Sequence, residues 1–204
     1  MHFNPNEVYH VYNRGNNKQP LFFQERNYHF FLNKVRTEWG QYCEILSYCL
    51  MPNHFHFMLT PNEDACKTIL LADKTTHLQC LSKQIGMTLS AYTKAINVQN
   101  DTSGSLFQKK TKAKCLKEDL MLNENLNSID YITTCFHYIH QNPLKANLVG
   151  NLKDWVYSSW LDYAGLRTGN LCNQEKLFQL TGLSEFDFLE QNRVLNENIV
   201  KGIF

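Results

Sequence analysis

No stretch of the 204 residues approaches the ~18 consecutive apolar side chains that a membrane-spanning helix requires, so no membrane partner is expected. The opening residues, MHFNPNEVYH, contain no basic segment followed by an apolar one. This argues against a secretory leader and for a cytoplasmic protein. Seven cysteines, Cys43, Cys49, Cys66, Cys80, Cys115, Cys135 and Cys172, form no CxxC pair, which speaks against a zinc knuckle. Their odd number and scatter read as reduced, packed thiols. Net charge is only +1, so bulk electrostatics gives no reason to expect nucleic acid, and any basic footprint has to be local. Internal repeats and low-complexity segments are also missing. What is present is 43% hydrophobic residues, enough to form the core of one domain.

The pattern along the chain alternates strand and helix. Val8 to Arg14 is rich in β-formers and exits through Gly15-Asn16-Asn17. Tyr28, Phe31, Leu32 and Val35 then recur at helical spacing between Gln24 and Trp39, with a stop at Gly40. Tyr42 to Leu50 and His54 to Thr60 read as a hairpin turned at Met51-Pro52-Asn53. A loop over 62–75 leads to a helix at 76–97, where Leu78, Leu81, Ile85, Leu89 and Tyr92 repeat, followed by a polar loop from Asn97 to Ser105. Leu106 to Leu116 reads as a long strand, and Ser128 to Ala146 as a helix with Ile129, Ile132, Phe136 and Ile139 on its buried face. This order favours an α+β sandwich, one antiparallel sheet with helices on one face, over a parallel doubly wound sheet. Residues 1–150 would form the main domain. Residues 151–204 would form a C-terminal helical extension, with Gly165 to Asn170 as a linker before an amphipathic segment at about 174–195, packing on the domain or touching DNA.

Two places carry chemistry. In MPNHFHFML, His54 and His56 stand two apart, which on a strand sends both imidazoles to one face and Phe55, Phe57 and Leu59 to the other. Neutral imidazoles converging this way can bind one metal with coordination positions left open for an amide, water or phosphate oxygen. A bare HxH is also what a solvated strand face can present. In DYITTCFHYIHQNPLKANLV, Tyr138 and Asn142 are four apart and share a helical face turned away from the Ile132, Phe136 and Ile139 stripe. A phenol is a poor nucleophile at neutral pH, so attack on phosphate needs a metal and a route for the proton. Asn142 can supply a third ligand, although Pro143 favours a kink or restart of the helix there.

The local basic footprint is SLFQKKTKAKCLK. Lys110, Lys112 and Lys114 fall at period two on one face of the expected strand, with Lys109 alongside. Such a stripe can neutralise a DNA backbone, with Phe107, Tyr9 or Tyr12 stacking bases, or it can be an ordinary solvated strand face.

With these residues in view, the chain resembles the IS200/IS605-like single-tyrosine transposases, and most of all their REP-associated branch. Four stretches carry the resemblance, in the family's order and spacing: YHVYNRGNN at 9–17, LMPNHFHFML at 50–59, GSLFQKK at 104–110 and FHYIHQNPLKANLV at 136–149. The resemblance implies a ferredoxin-like fold and an HUH mechanism with Mg2+ or Mn2+ held by His54, His56 and Asn142. It also implies a 5′-phosphotyrosyl intermediate on Tyr138, and single-stranded DNA with hairpin structure as substrate. Arg14, Lys109, Lys110, Lys112 and Lys114 are the expected DNA-binding residues. Where better-known members carry glutamine four residues after the tyrosine, this chain has Asn142, with Gln141 one position earlier, and which amide reaches the metal stays open. Tyr131, one helical repeat earlier, is the rival nucleophile. Its i+4 residue is Cys135, and it matches no family position. The alternative function is a domesticated hairpin- or repeat-DNA-binding protein that no longer transposes. A homodimer is among the assemblies that fit.

Overall fold

The computed structural model describes residues 1–70, 77–116 and 128–184, and for 128–130 the backbone alone. In chain order the elements are β1 (Tyr9–Arg14), α1 (Glu25–Trp39), β2 (Cys43–Met51), β3 (His54–Pro61), α2 (Glu63–Cys66), β4 (Thr68–Leu70), β5 (His77–Gln79), α3 (Cys80–Asn100), β6 (Lys112–Cys115), α4 (Ser128–Lys145), α5 (Trp160–Tyr163) and α6 (Gln174–Thr181). The main sheet is antiparallel with the order β2-β3-β1-β6, and β4 and β5 form a separate pair. α1 carries the chain from β1 to β2 and α3 carries it from β3 to β6, each passing over one intervening strand. This is the connectivity of a ferredoxin-like α+β sheet.

The two faces of the sheet are covered by different helices, which corrects the expectation of helices on one face. Phe55, Phe57 and Leu59 of β3 and Tyr9 and Val11 of β1 are buried with Phe31 and Val35 of α1 and Leu81, Ile85 and Tyr92 of α3. On the opposite face, Met58 of β3 and Leu46, Cys49 and Met51 of β2 pack against Tyr131, Ile132, Cys135, Phe136 and Ile139 of α4. β2 is apolar on both faces and β3 adds Met58 to the second, where a single covered face would leave that side polar, and α4 takes it. A bulge between Ile45 and Ser47 flips the phase of β2. Because of it, Cys49 and Met51 join the α4 face and stand opposite His56 and His54.

Three other boundaries differ from the sequence reading. The expected loop before the second long helix contains α2 and β4, and the helix begins at Cys80 after β5, while residues 71–76 lie outside the described ones. The long strand expected from Leu106 to Leu116 shortens to β6 plus one isolated bridge between Gly15 and Phe107. Its middle is held by a side chain instead: the Asn13 amide donates to the Gln108 carbonyl at 3.1 Å and to Thr111 Oγ1 at 2.8 Å. α4 runs through Pro143 to Lys145 without the expected break. Ile129 falls where side chains are not described.

All seven cysteines are free thiols. Among the described residues, no helix is long and apolar enough to cross a membrane.

The described part of the C-terminal segment packs along β2. Cys49 bridges to Ser158 and Ile45 to Cys172, Leu50 N–H donates to the Tyr157 carbonyl at 2.9 Å, and Tyr163 and Leu177 are fully buried. Arg167, expected in a linker, is instead a clamp. Its Nε and Nη2 donate to both Asp162 carboxylate oxygens at 2.6 and 2.8 Å, Nη1 to the Val156 carbonyl at 2.7 Å, and Nη2 to the Ser158 carbonyl at 2.6 Å. Gly169 passes so close that a Cβ there would meet the Asp162 carboxylate at 2.4 Å. α6 ends at Thr181, and the part of the expected 174–195 segment beyond Ser184 lies outside the described residues.

Asp162 is buried at 7% exposure, so removing its partner leaves a desolvated carboxylate. Arg167→Met is expected to lower unfolding stability by about 3 kcal/mol. Equilibrium urea unfolding checks this, and a loss below about 0.5 kcal/mol, the scale of an ordinary surface change, would show that the clamp is not structural.

Candidate active site

The register of the four strands assembles the site. On the α4 face of the sheet, Lys112, Tyr12, His56 and Cys49 form one row across all four strands, and Arg14, His54 and Met51 form the next. His10 stands one row further along, between Lys114 and Met58. Period-two alternation puts these side chains together for the same reason that it buries Phe55 and Phe57 behind them.

Both histidines have their Nδ1 atoms engaged. His54 Nδ1 lies 2.7 Å from Asn53 Oδ1, and His56 Nδ1 lies 2.8 Å from His10 Nε2. An amide oxygen only accepts, so His54 donates from Nδ1, and its lone pair is on Nε2. Burial, with the Arg14 charge adding to it, pushes the His54 imidazole down to about 4. Burial pushes His56 well below its ordinary value. His10 is lowered to about 3, by burial first and Lys114 second. At neutral pH all three rings are uncharged, the form that can ligate a metal.

α4 brings Tyr138 over this surface. Its ring meets His56 edge-on with centroids 5.8 Å apart. Its hydroxyl donates to Asn142 Oδ1 at 3.1 Å. The Asn142 amide is oriented by the proline that follows it. Pro143 has no N–H to offer the Ile139 carbonyl, and Asn142 Nδ2 reaches that carbonyl at 3.4 Å and the Tyr138 carbonyl at 2.9 Å. With Nδ2 spent on the helix, Oδ1 is the atom presented to the site, where the Asn142 side chain also meets His54. The Asn-Pro pair therefore aims an oxygen instead of breaking the helix, and the Asn142 side chain contacts both Tyr138 and His54. Burial pushes the Tyr138 phenol well above its ordinary value, partly offset by the Asn142 hydrogen bond. The Lys145 ammonium, 5.3 Å from the ring centroid, places a positive charge on its face.

A cavity of about 320 Å³ opens beside Tyr138, His54 and His56, with Arg14, Lys110 and Lys112 on its wall. The other expected lysines are placed differently. Lys109 is exposed but away from the cavity wall, and Lys114 is half-buried with its Nζ 6.0 Å from the Tyr131 ring centroid. Tyr131 itself is only 4% exposed and belongs to the core under α4, which removes the rival nucleophile from the site. Tyr9 and Phe107, expected as base-stacking residues, are buried at 2% and 5%, leaving Tyr12 as the aromatic on the cavity wall. Sequence reasoning missed His10, Asn53 and Lys145. His10 had a readable signal, since it shares the strand phase of Tyr12 and Arg14. Lys145 had one too, lying seven residues beyond Tyr138 on the same helical face.

Among the described residues no group of three His, Cys, Asp or Glu is arranged to hold a metal ion. The donors that fit one are His54, His56 and the Asn142 amide oxygen, two neutral imidazoles and a carbonyl-type oxygen whose own hydrogens are already spent. This set suits a divalent ion of intermediate hardness with sites left over for phosphate oxygens.

Holding these histidines neutral has a measurable consequence. An imidazole whose folded pKa lies below 6.5 takes up its proton more readily in the unfolded chain. Stability is therefore fully present above pH 6.5 and is lost as pH falls toward 4, at about 1.4 kcal/mol per pH unit for each such histidine. Urea midpoints measured at pH 7.5 and 5.0 should fall accordingly, and an unchanged midpoint would contradict neutral burial.

No protein-family model matches the chain. A curated protein of Haemophilus influenzae (strain ATCC 51907 / DSM 11121 / KW20 / Rd), named "Putative REP-associated tyrosine transposase", is 25% identical over 136 residues, 64% of this chain and 69% of that protein. Among solved structures, a REP-associated tyrosine transposase bound to a REP hairpin aligns over 85% of this chain and 92% of its own, with a TM-score of 0.58 at 16% identity. A bacterial tRNA(His) guanylyltransferase-like protein in complex with ATP aligns at a TM-score of only 0.36 and 12% identity, over 76% of this chain and 71% of its own. Sequence and fold point the same way, and in both the chain is similar to the REP-associated tyrosine transposases.

Proposed function

We propose that this chain nicks and rejoins single-stranded DNA next to a hairpin, using Tyr138 as nucleophile. The observation that carries the reading is the convergence of the Tyr138 hydroxyl, the Asn142 oxygen and the His54 and His56 edges beside a cavity walled by Arg14, Lys110 and Lys112. The hairpin enters the proposal from the DNA held by the structural neighbour.

The roles follow from the chemistry of each group. Arg14, Lys110 and Lys112 hold backbone phosphates, and the half-exposed Tyr12 offers a ring face to a base. His54, His56 and Asn142 are the residues that would hold Mg2+ or Mn2+, which when bound withdraws charge from the scissile phosphate. Tyr138 enters as a phenol, its hydroxyl oriented by Asn142. Its oxygen bonds to phosphorus, the bond from phosphorus to the 3′-oxygen breaks, the phenol proton departs, and the 3′-oxygen gains one to leave as a hydroxyl. A 5′-phosphotyrosyl link remains on the chain. Lys145 on the ring face favours the phenolate, which lowers the barrier to attack and makes Tyr138 a better leaving group when an acceptor 3′-hydroxyl reverses the step.

Incubation with a hairpin-bearing single strand and Mn2+ should yield a covalent protein–DNA species on denaturing gels, lost with chelator and lost in Tyr138→Phe. Cleavage without an adduct would replace this reading with metal-assisted hydrolysis, and tight hairpin binding with neither product would leave a DNA-binding protein. Lys112→Ala should weaken DNA binding across sequences and reduce the slope of log affinity against log salt by about 1. An unchanged slope would remove Lys112 from the interface.

A further inference from the structure

We propose that His10 is a positioning residue for the metal site, fixing the ring orientation and tautomer of His56 by accepting a hydrogen bond from its Nδ1. The inference rests on the reading of His54, His56 and Asn142 as metal ligands and adds a residue that contacts neither metal nor DNA.

Two neutral imidazoles sharing one hydrogen bond have one proton between them. His10 Nε2 and His56 Nδ1 are 2.8 Å apart, and the rings lie nearly parallel, 19° apart with centroids at 5.0 Å. If His10 donated, His56 would carry its own proton on Nε2, and neither His56 nitrogen would have a lone pair for a cation. If His10 accepts, the His56 proton sits on Nδ1 and Nε2 is the ligand atom. The same logic operates at His54, where Asn53 Oδ1 can only accept. Each candidate ligand thus has its own acceptor, one from the turn between β2 and β3 and one from β1.

The surroundings hold His10 in place for this task. It is fully buried at 0% exposure, and the ring of Tyr12 stacks on it at 4.6 Å and 27°. Partners of this kind are more often carboxylates or carbonyls. A neutral imidazole orients the ligand without adding negative charge, leaving the charge of a bound ion to act on phosphate.

Two measurements test this. Long-range 15N–1H correlation spectra of the wild-type chain, without metal, read the tautomers directly. Protons on Nδ1 of both His10 and His56 are expected, and a proton on Nε2 of His56 overturns the proposal. Titration with Mn2+ alone, followed by the EPR signal of free Mn2+, then compares variants. His10→Leu should bind Mn2+ about 10- to 100-fold more weakly. His10→Gln, whose side-chain oxygen can accept the same hydrogen bond, should recover most of that loss. Wild-type Mn2+ affinity in a folded His10→Leu, alongside weakened binding in His56→Ala, overturns the role of His10 and leaves the ligand assignment standing. Unchanged affinity in His56→Ala instead refutes the metal site itself.

Discussion

The arrangement of the whole site depends on the burial of two phenylalanines. Phe55 and Phe57 are fully buried between β3 and the α1–α3 layer, each worth roughly 1.5–3 kcal/mol. That burial fixes the phase of β3, because slipping its register by one residue would turn both rings out of the α1–α3 layer and put His54 and His56 into it. With the phase fixed, His54 and His56 have no choice of face, and pairing with β1 sets Arg14 and Tyr12 opposite them. The helix that carries Tyr138 then has to cover this same face, since Met58, Leu46 and Met51 beside the histidines are apolar and need a partner. A core requirement on one side of the sheet thereby determines the chemistry on the other.

This explains what was legible in the sequence. Alternation is local, so the HFHFML run disclosed both the strand and the face of its histidines. The Tyr138 to Asn142 spacing disclosed a shared helical face in the same way. Which layer α4 occupies was not readable, because it depends on the apolar second face of β2, and the bulge at Leu46 hides that periodicity. The lysine stripe is interrupted for a related reason. It presumed an unbroken strand from Leu106, whereas the Asn13 side chain takes over hydrogen bonds at Gln108 and Thr111, and only Lys112 and Lys114 keep strand phase. Lys114 then tucks against Tyr131, because α4 covers that end of the sheet.

The Asn142-Pro143 pair shows how a residue that reads as a defect can be a device. A proline inside a helix orphans one carbonyl, and here the amide that partly fills the gap belongs to the neighbouring side chain. Satisfying the backbone with Nδ2 leaves the amide only one useful orientation. The oxygen then meets the Tyr138 hydroxyl, so the repair of the helix and the placement of that hydroxyl are a single hydrogen-bond network.

The donors assembled in this way are all neutral. Two imidazoles and an amide contribute no negative charge, so a divalent ion held by them keeps most of its own, and the phosphate of a bound strand becomes the natural counter-charge. In the proposed function, Arg14, Lys110 and Lys112 raise the local positive potential further, which would weaken binding of the ion alone and strengthen binding of DNA. Ion and DNA should therefore bind with positive coupling, each increasing affinity for the other by the same factor, as linkage requires. A carboxylate in place of Asn142 would hold the ion more tightly in the absence of DNA and would partly neutralise the charge that acts on the scissile phosphate. On that argument an amide would serve the proposed function better than a carboxylate as third ligand, since the ion would then be held firmly only when the substrate has arrived.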